Sequence, residues 1–365
     1  MPEYLLWQGD FMLRKHATTA HAGPMALKAP FPWFGGKSLA SDLIWDRLGN
    51  VPNYVEPFAG SLAVLLSRPH DAGLETVNDL DGFVCNAWRA ILHDPDATAH
   101  ACDWPVSEPD LSARHLWLNA HRAELTDRLS GDTDYYDAKI AGWWLWGIAS
   151  WIGGGWCSGN GPWQSIDGLL TDTRKLPHLG DAGRGVERRR PHLGDAGRGV
   201  NRKLLHLGDA GRGVVDWLLQ LSDRMRRVRV CCGDWTRVMG PTVTGLVGGN
   251  PTPCGVVLDP PYSAEAGRDG SIYACEDLSV AHNVREWALA NGDNPQLRIV
   301  LCGYDGEHDM PGWSCAEWKT SGGYGCQGET TGRANRTRER LWFSPHCMAT
   351  ATKRQGILEM DDTHG

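Results

Sequence analysis

Asp259-Pro260-Pro261-Tyr262 follows the apolar run Gly255-Val256-Val257-Leu258, which reads as a buried strand ending on a carboxylate. These groups suit work on an exocyclic amino group of a base. Such a nitrogen is a poor nucleophile because its lone pair is delocalised into the ring. A carboxylate (Asp259) and a backbone carbonyl (Pro260) can accept its two hydrogens and push it toward a tetrahedral geometry. The prolines remove backbone donors and stiffen the loop, and Tyr262 offers an aromatic face to a base drawn out of its stack. The chemistry would be group transfer to that nitrogen, methylation in particular. The same four residues also read as a plain strand-to-loop turn, since Asp-Pro and Pro-Pro are common turn dipeptides.

A second set of candidates lies near the N-terminus. Phe31-Pro32-Trp33-Phe34-Gly35-Gly36-Lys37-Ser38 has the ending of a P-loop, but Phe31 stands where that motif needs its first glycine, which argues against a nucleotide triphosphatase. Glycines beside an aromatic and a lysine still suit a turn that lines a ligand. Tyr54-Val55-Glu56-Pro57-Phe58-Ala59-Gly60 is a glycine-containing strand-to-helix turn that lets a cofactor approach the backbone. Asp79 ends the next strand about 20 residues on, where an acidic side chain commonly takes ribose hydroxyls.

The elements that must position these residues alternate strand and helix at both ends of the chain. Strands are expected at 53–56, 75–78, 228–232, 255–258, 298–302 and 340–343. Helices are expected to start near Ser61 as N-cap and to run over about 83–92 and 278–290. This alternation predicts a mostly parallel sheet covered on both faces, with ligands at the carboxyl ends of the strands. Glu56, Asp79, Asp234 and Asp259 all fall at such ends.

Together and in this order, Trp33-Phe34-Gly35-Gly36-Lys37, Glu56-Pro57-Phe58-Ala59-Gly60, Asn78-Asp79 and Asp259-Pro260-Pro261-Tyr262 resemble the Dam-type (alpha-group) DNA adenine methyltransferases, a family common in bacteria and their phages. The resemblance covers about 31–92 and 228–345, with a looser match at the Trp-rich helix and Gly153-Gly154-Gly155. It implies an α/β fold: a Rossmann-like S-adenosylmethionine-dependent methyltransferase sheet with an inserted, mainly helical target-recognition region. By the resemblance, the catalytic domain is 29–92 plus 228–345 and the insertion is 93–227. An extension at 1–28 and a tail at 346–365 flank them.

The resemblance further implies S-adenosylmethionine as cofactor, held by Trp33, Lys37, Glu56, Phe58, Gly60, Asp79, Asp234 and Asp259. It implies catalysis by Asp259, Pro260, Pro261 and Tyr262 on a flipped adenine of double-stranded DNA. The oligomeric state is left open by the sequence, with a monomer favoured, and no C-x-x-C pair suggests a metal site. One departure stands out: Leu62 occupies the place of the family's second turn glycine. A cytosine-amino or RNA-adenine methyltransferase, or a non-catalytic DNA-binding relative, are the alternatives; Asp259 rather than serine favours adenine.

The chain of 365 residues carries a net charge of −8, unevenly spread. Residues 174–229 hold 14 Lys or Arg against 6 Asp or Glu, which leaves +8 there and −16 elsewhere. A basic segment on an acidic body fits a local polyanion contact, or else a solvated charged stretch. Within it, Pro177–Val186 recurs at Pro191–Val200, and again at Leu205–Val214 with one change. Gly-Arg-Gly in each copy places Arg184, Arg198 and Arg212 as candidate phosphate contacts, against the alternative of a tolerated surface insertion. Arg336 and Arg338 are further DNA-binding candidates. The 11 scattered cysteines read as free thiols in a reducing cytoplasm. Met1 to Lys28 lacks the pattern of a secretory signal, and no apolar run approaches a membrane span of roughly 20 residues. Of 18 tryptophans, five lie between Trp143 and Trp156, in a stretch apolar nearly all round that reads as a buried helix.

Overall fold

The computed structural model describes residues 27–33, 35–151, 156–157, 163–166, 169–172, 213–246, 252–262, 280–318 and 338–349. In chain order its elements are α1 (Ser41–Leu48), β1 (Asn53–Glu56), α2 (Ala63–Leu66), β2 (Leu74–Asp79), α3 (Gly82–His93), α4 (Pro95–Cys102), α5 (Glu108–Gly131) and α6 (Ala138–Ser150). Then come β3 (Trp163–Ile166), β4 (Leu169–Asp172), α7 (Val214–Met225), β5 (Val228–Cys232), β6 (Cys254–Leu258), α8 (Val280–Asn291), β7 (Leu297–Tyr304), β8 (Ser314–Glu317) and β9 (Glu339–Phe343).

Seven strands form one sheet in the order β5-β2-β1-β6-β7-β9-β8, while β3 and β4 pair apart as an antiparallel hairpin. Strands β5, β2, β1, β6 and β7 run parallel; β9 is antiparallel to both β7 and β8. This is the mixed, mainly parallel Rossmann-like methyltransferase sheet that the sequence implied. The order reverses at β1, which pairs with β2 on one side and β6 on the other. A crevice opens at such a switch point, outside the carboxyl ends of the strands.

Alternation along the strands divides the core between the two faces, as a period of two requires. Val257, Val300 and Cys302 join one apolar cluster with Trp45 of α1, Trp88 of α3 and Leu218 of α7. Val256, Leu258, Ile299 and Leu301 join a second with Val284 of α8 and Trp235. Helix starts are fixed by side-chain caps at Asp81, Asp94, Ser107 and Asp137. The Trp-rich segment is α6, buried nearly all round; Gly142 lets it lie on α4, because a Cβ there would fall 2.4 Å from that of Ala101. Glu75 of β2 is fully buried and pairs with Arg68 and with Arg224 of α7, at 3.2 and 2.7 Å.

Two expectations need correcting. Ser61 does not cap a helix: α2 begins at Ala63 after Leu62, which adopts a left-handed conformation with no side-chain cap. The short strand β8 went unread, since its exposed Ser314, Cys315 and Glu317 give no apolar signal. The nine described cysteines are free. No described helix is long and apolar enough to cross a membrane.

Candidate active site

Three strand ends assemble the site. Gly60 follows β1 with φ +44°, and its amide donates to Asp79 Oδ2 at 2.9 Å. A Cβ at Gly60 would come 2.3 Å from the Trp33 indole nitrogen, so the glycine lets Trp33 lie against this turn. The Asp81 amide donates to the other Asp79 oxygen at 2.9 Å. Burial raises the Asp79 carboxyl to about 6, and the two amides oppose the rise. The Trp88 indole donates to Gly60 O at 2.8 Å, and the Asn78 side chain donates to Pro57 O and Gly233 O at 3.1 and 2.9 Å. These bonds lock the β1 turn to the ends of β2 and β5.

On the other side of the switch point, Asp259 leaves β6 and its Oδ1 lies 2.8 Å from Lys37 Nζ. The lysine also donates to Gly35 O at 2.8 Å and is only 4 % exposed, whereas Asp259 keeps 24 %. Burial by itself pulls the Lys37 ammonium down, but the Asp259 and Glu339 carboxylates outweigh it and hold the group above its ordinary value. Lys37 Nζ sits over the rings of Tyr262 and Trp318, 5.3 and 5.7 Å from their centres.

Tyr262 is buried. Its hydroxyl donates to Glu339 Oε2 at 2.8 Å and lies 3.5 Å from Asp259 Oδ1. Its ring meets Tyr304 edge to face at 4.6 Å. Burial raises Glu339, countered by Lys37 and by the Tyr262 hydroxyl. Glu56, at the end of β1, is 5 % exposed and accepts from Tyr54 Oη at 2.9 Å; burial raises its carboxyl to about 8.

The structure thus brings Lys37, Asp259, Pro260, Pro261 and Tyr262 into one cluster, and Trp33, Gly60 and Asp79 into a second. Phe58 stacks on Trp235 at 6.2 Å. Asp234 is exposed and caps the 3-10 turn Trp235–Val238 through the Thr236 amide. Arg338 places its guanidinium 5.0 Å from the Tyr304 ring centre, at the rim of the Tyr262 cluster. Arg184, Arg198, Arg212 and Arg336 lie outside the described residues, as do Phe34 and Gly153-Gly154-Gly155. Sequence reasoning missed Glu339, Tyr304 and Trp318. Glu339 opens a strand already read at 340–343, so an acid at a strand end was its available signal.

Residues 33–131 match the family model described as D12 class N6 adenine-specific DNA methyltransferase. No curated protein matches the chain. Methyltransferases of this class in general take their methyl group from S-adenosylmethionine. The matched segment holds the Trp33–Lys37 loop, the β1 turn and Asp79, and the match supports the Dam-type resemblance and indicates an adenine-specific DNA methyltransferase.

Proposed function

We propose that methyl transfer takes place at the carboxyl end of β6, on an adenine flipped out of double-stranded DNA. The observation that carries this reading is the Lys37–Asp259 pair at the switch point, 2.8 Å apart and next to the buried Tyr262. Asp259 and the Pro260 carbonyl accept the two hydrogens of the amino group and turn its lone pair outward. Pro261 keeps the loop stiff. Tyr262, pinned through its hydroxyl to Glu339, gives the base a fixed aromatic face. Positioning and electrostatics account for most of the rate, with no covalent bond to the enzyme.

The residues present fit S-adenosylmethionine. Asp79 has an amide on each oxygen and keeps lone pairs for ribose hydroxyls. Phe58 and Trp235 offer aromatic surface, and Asp234 stays open to solvent beside them. Trp33 and Gly60 form the wall that admits the backbone turn. The Asp79 and Asp259 carboxylates outnumber Lys37 and suit a cationic ligand. When bound, the cofactor supplies a methyl group on an electrophilic sulfonium.

We assign the 93–227 insertion to DNA recognition, the enzyme acting as a monomer. Arg184, Arg198 and Arg212 of the repeat, with Arg336 and Arg338, would contact phosphates. The place of Arg338 beside Tyr304 supports its part in this. Mass spectrometry of nucleosides tests the reading after incubating DNA and RNA with enzyme and S-adenosylmethionine. N6-methyladenine in DNA alone is expected. N4-methylcytosine, or methylated adenine in RNA, would overturn it.

A further inference from the structure

Trp318 follows β8 directly and is 8 % exposed, yet its indole N–H has no hydrogen-bond partner among the described residues. A donor buried without an acceptor is costly and uncommon, and at the edge of a binding site it calls for a ligand to complete it. The surroundings of Trp318 are those of the reacting loop. Its ring centre is 5.7 Å from Lys37 Nζ, which pairs with Asp259 at 2.8 Å and lies over Tyr262. Its amide donates to Glu339 O at 3.4 Å, and the Glu339 carboxylate takes the Tyr262 hydroxyl. The indole therefore belongs to the same buried cluster as the residues set to receive the amino group.

We propose that the Trp318 indole N–H donates to a ring nitrogen of the target adenine, N1 or N7, on one side of its amino group. The inference rests on the base site proposed above, and it makes Trp318 a specificity-determining residue. Adenine carries an acceptor nitrogen on each edge beside its amino group. An acceptor at Asp259 and a donor at Trp318 together read that pattern. Guanine presents an oxygen in place of the amino group, which repels the Asp259 carboxylate, and at N1 it carries a hydrogen that repels the indole N–H; its N7 stays an acceptor, so there the carboxylate alone discriminates. A pocket that pairs a polar atom rejects the analogue lacking it far more strongly than an apolar pocket rejects a change of size.

The test uses the full-length protein and synthetic duplexes of the site mapped by modification-sensitive sequencing of DNA from cells making it. The target position carries adenine, 1-deazaadenine or 7-deazaadenine. The relative kcat/KM of each analogue is compared between the wild type, Trp318→Phe, and a protein with the benzothiophene analogue of tryptophan at 318, which keeps the shape and lacks the N–H. Intrinsic differences in analogue reactivity cancel in this comparison. The wild type should disfavour one analogue by on the order of tenfold, and both variants should lose that preference. The proposal is overturned if the wild type accepts both analogues as well as adenine, or if the variants keep the same preference. No methyl transfer to the adenine duplex itself would instead refute the underlying base site, a result distinct from unaltered discrimination.

Discussion

The Lys37 ammonium lies 2.8 Å from the Asp259 carboxylate, joining the loop before α1 to the end of β6. Lys37→Met fills similar space without the charge and leaves Asp259 and Glu339 uncompensated. Breaking a buried pair from one side costs about 3–5 kcal/mol. Because Asp259 is 24 % exposed, a loss of about 2–3 kcal/mol is expected. Urea unfolding measures it, and initial rates should fall at least about tenfold, near 1.4 kcal/mol in the barrier. Wild-type stability and rate would show the pair to be replaceable.

Glu56 makes stability depend on pH. An ordinary glutamate ionises near 4.5, and burial pushes Glu56 up to about 8. Between these values the unfolded chain has released its proton while the folded chain still holds it. Stability therefore falls as pH rises from about 4.5 to about 8 and levels off above. Asp79, raised from 3.8 to about 6, adds to the lower part of the same fall. Glu56→Gln cannot ionise and can still accept from Tyr54. Its melting temperature should decline less than that of the wild type between those pH limits. Equal slopes would remove Glu56 as the source.

Gly60→Ala tests the turn. The substituted residue would sit at φ +44° with its Cβ 2.3 Å from the Trp33 indole nitrogen. The backbone strain alone costs roughly 1–2 kcal/mol, and Trp33 must move. Calorimetry should find S-adenosylmethionine affinity lowered on the order of tenfold, about 1.4 kcal/mol. Unchanged affinity would take Gly60 and Trp33 out of the cofactor site.

Strands β1 and β5 were read with their observed bounds, because each holds β-branched or aromatic residues and stops at a turn opened by proline or glycine, Pro57 and Gly233. The same signal found β6 and its Asp259. Local sequence carries less where a partner is distant. Tyr262 and Glu339 meet across 77 residues, and they do so because β9 returns antiparallel beside β7. Trp318 reaches the cluster from β8, an edge strand whose exposed side chains leave no pattern to read. The start of α2 was misplaced because Leu62, fully buried, takes up a left-handed conformation that leucine rarely adopts. Burial of its side chain, worth roughly 2–5 kcal/mol, exceeds the roughly 1–2 kcal/mol of backbone strain. No propensity reveals such a balance; it is set by the packed core around the turn.

The most direct measurement of the central claim is transfer of labelled methyl from S-adenosylmethionine to DNA by the wild type and by Asp259→Ala, with circular dichroism and thermal melting of both proteins. The wild type should yield N6-methyladenine, and Asp259→Ala should yield none while keeping the wild-type spectrum and a cooperative melt. Full methyl transfer by Asp259→Ala would contradict the account.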